Sequence, residues 1–327
     1  MTVSGYEVGS SNEAKMEGPI KLDFQNNNGQ EEVLEEQCEW KKCPDFSSDP
    51  VHDSKRTVLK NLNEEERDSL KKFREWVDTQ SHLNPLKTDF ELIKFLIISK
   101  YDQEKAKKRF LNFYNMRANV PEWFSNRDPL LPELQALLDL GVFLPLLNKD
   151  SLGRQVILVR AGGHDPRVHS QENIFKLGCM MVDYISERDE SIVDHGVVLL
   201  VDLEGVNYQH ALHLTPSIVK KAVNSWQSCY PIRIKRFDLI KVALAYNVVL
   251  NIFRKFMKQK LKDRMHTHGY DMESLHKVIS PEALLDTYAG TGGTFEEHTN
   301  YWKKTITEAR DWFLENEKYK PSCIPSE

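Results

Sequence analysis

From about residue 61 onward, apolar residues recur at helical spacing; before that point they do not. Asn63 and Glu66 have the spacing of a capping box, and Leu70, Phe73 and Val77 follow on one helical face. Thr88 and Glu91 repeat the spacing ahead of Phe90, Ile93, Leu96 and Ile97. Asp102 opens a third such run with Ala106, Phe110, Phe113 and Tyr114, and Pro121 lies just past its end. Three short helices on tight links predict a small helical domain over residues 61–118.

After Pro121 the period changes. Asp150-Ser151-Leu152-Gly153-Arg154 reads as a turn, and Gln155–Arg160, dense in Val, Ile and Leu, as a strand. Ser170 caps a helix with Ile174, Leu177, Met181, Val182 and Ile185 on one side. Val197–Val201 is apolar without alternation, as in a strand buried on both faces. Thr215 and Pro216 supply a cap and a first helical residue. Phe237–Val242 predicts another strand, and a last helix is expected over 296–317. Strands alternating with helices imply βαβ units and a largely parallel sheet.

The run Leu244–Met257 reads as a helix apolar nearly all round, which suits either a buried core helix or a lid. Arg254, Lys255, Lys258, Lys260, Lys262 and Arg264 lie in or just after it, against one acid, Asp263. This local stripe stands against a formal net charge of -5 and suggests an anionic surface as partner. No aromatic platform interleaves with the stripe, so nucleic acid is not expected. Residues 1–50 are acidic and include Asn26-Asn27-Asn28-Gly29, and a disordered tail is expected over 1–55.

The chain has 327 residues, 40% apolar and 28% charged, which is ordinary globular composition with room for a large core or two unequal domains. No uninterrupted apolar run reaches the ~18 residues of a membrane span. Residues 1–18 lack the basic and apolar regions of a secretory signal, Thr2 does not fit myristoylation, and the Ile-Pro-Ser-Glu ending does not fit prenylation. Cys38, Cys43, Cys179, Cys229 and Cys323 form no CxxC pair, which fits free thiols in a reducing compartment. A cytoplasmic protein is expected.

Catalytic motifs do not assemble. Gly290-Thr291-Gly292-Gly293 lacks the Lys-Ser/Thr of a phosphate loop, and there is no G-x-S-x-G elbow or dinucleotide fingerprint. His266 and His268 are two apart, which suits neither a helical metal pair nor a HExxH site. Cys229 has no His partner in sequence. Asp202 and Glu204 flank a strand end, as acid pairs do in some α/β enzymes. Neither a hydrolase nor a dehydrogenase is supported; no enzyme, cofactor or metal is expected.

A series of short pieces follows in order: Asp89-Phe90-Glu91-Leu92-Ile93-Lys94-Phe95-Leu96, Lys100-Tyr101-Asp102, Asp150-x-x-Gly153-Arg154 and His164-Asp165-Pro166. Next come Asp202-Leu203-Glu204-Gly205, Thr215-Pro216, Pro231-Ile232-Arg233-Ile234-Lys235, His266-x-His268-Gly269, Ser274-Leu275-His276 and Tyr288. Over residues 60–300 this order and spacing resembles the CRAL-TRIO lipid-binding family, in its alpha-tocopherol transfer protein and cellular retinaldehyde-binding protein branch. The sequence departs from the family at Lys241-Val242-Ala243, where Asn and Pro are usual, and at Leu285–Gly290, which replaces a Pro-x-Glu-Tyr-Gly-Gly ending. Ile97 and Ser99 stand where the family has arginines.

The resemblance implies an α/β CRAL-TRIO fold, a mostly parallel sheet with helices forming a lipid cage, preceded by a three-helix domain. The domains it implies are 56–122, 123–300 and a C-terminal helix and tail over 301–327. It places the cage wall at Phe175, Gly178, Val182, Val197, Val201, Leu214, Ala222, Ser225, Trp226, Tyr230, Ile232 and Ile234. Gly178 would open space, Trp226 would remove it, and Ser225 and Tyr230 would hydrogen-bond a hydroxyl or carbonyl of the guest. It tips the apolar helix to a gate, with Tyr246, Val249, Leu250, Phe253 and Phe256, and puts phosphoinositide contacts on Arg233, Lys235, Lys260 and Arg264. It makes Asp202, Glu204, His266 and His268 structural. The expected function is a monomeric carrier, peripheral and reversible at membranes, for one retinoid, tocopherol or similar lipid. The alternative is a regulatory or scaffold protein that keeps the fold without a guest.

Overall fold

Side-chain caps set where the helices begin. The computed structural model describes residues 56–242 and 247–321, with backbone alone at 247–249. The expected acidic tail, and Leu244 and Tyr246 of the expected gate, lie outside the described residues. Helix α1 (Glu64–Asp78) starts at a complete capping box: Asn63 Oδ1 accepts from the Glu66 amide at 2.9 Å, and Glu66 Oε2 from the Asn63 amide at 3.0 Å. Helix α2 (Asp89–Ile98) has only half of one. Thr88 accepts from the Glu91 amide at 3.2 Å, but the Glu91 carboxylate turns to Lys94. Asp102 caps α3 (Gln103–Asn119) through the Lys105 amide. The three helices close on a cluster of rings, with Phe110 centred 5.6 Å from Phe73, 5.0 Å from Phe95 and 4.7 Å from Tyr114.

Helix α4 (Pro132–Asp139) leads into a five-stranded sheet whose spatial order is its sequence order: β1 (Phe143–Pro145), β2 (Gln155–Arg160), β3 (Val197–Asp202), β4 (Ile234–Ile240) and β5 (Met265–Gly269). The first pair is antiparallel and the rest are parallel, so the sheet is largely parallel. Between β2 and β3 runs α5 (Gln171–Arg188), capped by Ser170. Between β3 and β4 run α6 (Tyr208–His213) and α7 (Pro216–Asn224), and between β4 and β5 runs α8 (Asn247–Phe256). Strands that advance in one direction with right-handed crossovers gather their connecting helices on one face of the sheet.

Three sequence expectations are corrected. The fourth strand runs from Ile234 to Ile240, not from Phe237 to Val242. The last helix is two, α9 (Phe295–Glu308) and α10 (Arg310–Asn316), parted at Ala309. The described part of α8 is amphipathic, not apolar all round: Asn251, Arg254 and Lys255 are exposed, and Leu250 is buried, as is Met257 just past its end.

A buried ionic knot ties the helical part to the sheet part. Asp183 Oδ2, on α5, accepts from Arg117 of α3 at 3.1 Å and from Arg127 at 2.8 Å. Both guanidiniums also reach Asn316 of α10. On the C-terminal side, buried Trp302 donates to the Pro145 carbonyl of β1. Among the described residues no helix is long and apolar enough to cross a membrane.

Candidate ligand cavity

The sheet turns every second residue toward the connecting helices. On β2 and just past it these are Ile157, Val159 and Ala161; on β3, Val197, Leu199 and Val201, with Leu203 beyond. On β4 the set is Ile234, Phe237 and Leu239, which breaks a period of two. A bulge explains it: Val197 pairs with Ile234 but Val198 with Arg236, so Lys235 is one extra residue and the parity shifts. The bulge keeps Ile234 and Phe237 on the same face. Together these side chains wall a cavity of about 180 Å³ with a largely apolar lining.

Helices close the other sides. From α5 come Ile174, Phe175, Gly178 and Val182, and from α8 come Leu250 and Phe253. The chain after α7 widens into a single i→i+5 turn over Ser225–Cys229, in which the Tyr230 amide reaches the Ser225 carbonyl at 3.0 Å. Ser225, Trp226 and Tyr230 of this segment all line the cavity, and the Trp226 and Phe253 rings stack at 6.1 Å.

Of the wall positions expected from sequence, Phe175, Gly178, Val182, Val197, Val201, Leu214, Ser225, Trp226, Tyr230, Ile232 and Ile234 come together on this cavity. Ala222 does not; it is wholly buried one turn before Ser225, which donates to its carbonyl at 2.7 Å. That bond also uses up the Ser225 proton, so Ser225 faces a guest only as an acceptor. The Tyr230 hydroxyl lies beside the Cys179 thiol, and burial pushes that thiol up to about 12. Burial likewise pushes Cys229 up to about 11, and its sulfur takes a contact from Asn224 at 3.6 Å. Neither is a thiolate at neutral pH, the form a cysteine nucleophile needs.

Of the expected gate, Leu250 and Phe253 line the cavity. Phe256 is half-buried outside it, its carbonyl held by Gln227. The side chain of Val249 lies outside the described residues. Lining residues that pattern reasoning passed over include Phe143, Ile157, Val159, Leu199, Phe237 and Leu239. For the strand residues the signal was the alternation itself. No sequence signal marked two histidines, His164 and His210, that follow β2 and β3 and also line the cavity.

The basic residues divide into two groups. Lys235 lies within electrostatic reach of Arg233, Arg264 and Arg154; burial first, then these three charges, lower its pKa. Arg233 donates to the Ile97 carbonyl of α2, and Arg264 to the Ile234 carbonyl of β4, so both are partly spent on holding the fold. Lys260 instead lines a separate groove with Lys100, Lys105, Lys108, Arg109 and Lys258.

The comparisons bear on residues 141–290, which match the CRAL/TRIO domain. The chain carries a CRAL/TRIO domain. Residues 62–134 match the Pinta-like UBA domain. The chain is 28% identical over 237 residues to the human alpha-tocopherol transfer protein-like protein, covering 72% of this chain and 66% of the relative. It is 26% identical over 249 residues to clavesin-1 of Xenopus laevis, covering 76% of this chain and 74% of the relative. The chain thus spans slightly under two thirds of the human relative's length. The crystal structure of Sfh5 overlays at a TM-score of 0.49 and 13% identity, over 72% of this chain and 91% of that one.

Within the CRAL/TRIO domain the polar residues at the sheet edge are occupied with one another. Asp202 accepts from the Tyr288 hydroxyl at 2.8 Å and the Glu204 amide at 2.9 Å. His268 bridges Asp238 and Ser274 at 3.0 and 2.8 Å. Among the described residues no group of three His, Cys, Asp or Glu side chains is placed to hold a metal ion.

Proposed function

We propose that this protein binds one lipophilic molecule, such as a retinoid or a tocopherol, in the cavity and transfers it between membranes. The observation that carries the reading is the wall itself: alternate residues of three parallel strands, kept in phase by the bulge at Lys235, face helices that add apolar side chains around one cavity. Each buried CH₂ of a guest contributes about 0.8 kcal/mol, so an extended hydrocarbon is retained without any charged contact. Leu250 and Phe253 put α8 over the cavity, and exposed Arg254 and Lys255 on the same helix suit an anionic membrane. Each such charge near an anionic leaflet adds about 1 kcal/mol. In this reading α8 is the gate, and Arg233, Lys235, Lys260 and Arg264 meet phosphoinositide headgroups. The name of the human relative, alpha-tocopherol transfer protein-like, supports a carrier rather than an enzyme.

The test is mass spectrometry of organic extracts of the purified protein, followed by transfer of the recovered lipid from loaded protein to liposomes. One lipophile per chain, delivered to vesicles, is the expected result. Empty extracts together with no uptake of fluorescent retinoid or tocopherol analogues at micromolar concentration would reject the carrier and favour a scaffold.

A further inference from the structure

The cavity lining is largely apolar, with Gln171, Ser225 and Tyr230 as polar members of the wall and two histidines together at one end. The loop after β2 carries His164, and α6, after β3, carries His210; both lie at the carboxyl edge of the parallel strands. In open parallel sheets that edge is where ligands are held. A close backbone approach brings the two together: a side chain at Gly162 would strike the Glu204 carbonyl at 2.1 Å, so only glycine lets the two loops meet. The two imidazoles then sit 4.8 Å apart, edge to face.

Their hydrogen bonding differs. His210 is fully engaged. Its Nε2 donates to the His164 carbonyl at 3.0 Å, and its Nδ1 accepts from the Asn207 amide at 3.3 Å. His164 is only 8% exposed, lines the cavity, and has no protein partner at either ring nitrogen. A buried polar group without a partner costs roughly 1–3 kcal/mol, so it is a place where a bound molecule gains by hydrogen bonding. Burial, then the neighbouring His210 and His169, holds the His164 pKa down at about 4. Asp165 opposes this and His213 adds to it, and the ring remains neutral at pH 7. A neutral imidazole offers one N–H donor and one acceptor, which a hydroxyl satisfies from either side and a carbonyl from one.

We propose that His164 is the head-group site of the cavity and that the guest is a lipophile bearing a neutral hydroxyl or carbonyl at the end nearest this residue. The inference rests on the carrier reading and deepens it by naming the chemical class of the guest. The guest's tail then runs along Val201, Leu199 and Val197 of β3 toward Ile232 at the amino edge.

The experiment uses the full chain and three fluorescent probes of equal length: a pyrene-labelled long-chain alkanol, the matching alkane and the matching fatty acid. The unmutated protein should bind the alkanol about tenfold more tightly than the alkane, the worth of one net hydrogen bond. In His164→Leu that preference should vanish while alkane affinity holds, which also shows that the variant is folded. His164→Gln, which keeps a donor and an acceptor, should restore part of it. Equal binding of alkanol and alkane by the unmutated protein, or a preference that survives in His164→Leu, overturns this inference and leaves the carrier reading standing. Tighter binding of the fatty acid than of the alkanol overturns the neutral class. If none of the three probes binds, the same comparison is made with the lipid recovered from the extracts and its analogue lacking the hydroxyl or carbonyl, and equal binding of those two overturns the inference; the carrier reading itself falls only with empty extracts and no uptake of retinoid or tocopherol analogues.

Discussion

Tyr288 donates its hydroxyl to Asp202 at 2.8 Å, joining the end of β3 to a turn 86 residues further on. The same carboxylate oxygen lies 3.3 Å from the Lys241 ammonium. Burial raises the Tyr288 phenol far above its ordinary range, so it stays a donor wherever the protein is folded. Tyr288→Phe should therefore cost about 1.5–3 kcal/mol, the range for hydrogen bonds to charged groups. Urea denaturation checks it. A loss below about 0.5 kcal/mol would mean that Lys241 suffices for the Asp202 oxygen that the tyrosine leaves.

Gly178 sets the width of the cavity between α5 and β1. A methyl group at that position would sit 3.2 Å from the Phe143 ring, closer than an ordinary contact, and both residues line the cavity. Gly178→Leu should force the ring aside or fill the space, lowering guest affinity at least tenfold and costing about 1–3 kcal/mol of stability from overpacking. The exposed Lys304→Ala is the control and should alter neither quantity. A folded leucine variant that binds the native guest as well as the unmutated protein would place the guest elsewhere.

Much of this was legible in the sequence because it is local. Asn63, Thr88, Asp102, Ser170 and Thr215 cap helices through amides three residues on, and spacing alone marks such bonds. Strand β2 was readable from its Val and Ile content. The cavity was readable through resemblance for most of its wall, and it missed at Ala222, which is wholly buried one turn before the lining residue Ser225. What could not be read depends on contacts across long stretches of chain. The register bulge at Lys235 exists only against β3. The knot of Arg117, Arg127 and Asp183 joins residues 56 and 66 apart. His164 looked like part of a His-Asp-Pro motif until the loop after β2 met the loop after β3. The break between α9 and α10 at Ala309 left no mark in the apolar pattern either.

The basic residues should act on membrane docking and not on the guest. Arg233 also anchors α2 through Ile97, so reversing it would disturb the fold as well as the surface. The cleaner variant is Lys235→Glu with Lys260→Glu, since neither lines the cavity. Co-sedimentation with phosphoinositide liposomes should fall several-fold while affinity for the free guest is unchanged. Raising salt should mimic the mutation, because exposed charges are screened over about 10 Å at 0.1 M. If the unmutated protein docks equally on anionic and neutral vesicles, the electrostatic role is rejected.

Acid should loosen the cavity through His164. In the folded protein its pKa lies at about 4, against an ordinary 6.5. Between those values the unfolded chain binds a proton that the folded chain refuses, so stability rises with pH across the window and is lost as pH falls through it. At about 1.4 kcal/mol per pKa unit, the fall from 6.5 to about 4 is worth at most about 3.5 kcal/mol, and less where solvent screens the ring. His210 and His298, both lowered chiefly by burial, add losses of the same sign. The part that belongs to His164 is found by difference. Urea midpoints measured from pH 7 to pH 4.5 should fall more steeply for the unmutated protein than for His164→Leu, with the curves parallel above pH 7. A bound lipid hydroxyl that donates to the bare ring nitrogen should steepen the fall further, because protonation then also removes the acceptor that holds the guest. Identical slopes for the two proteins would mean that the His164 ring is solvated in the folded state, and its place as a buried, neutral head-group site would be lost.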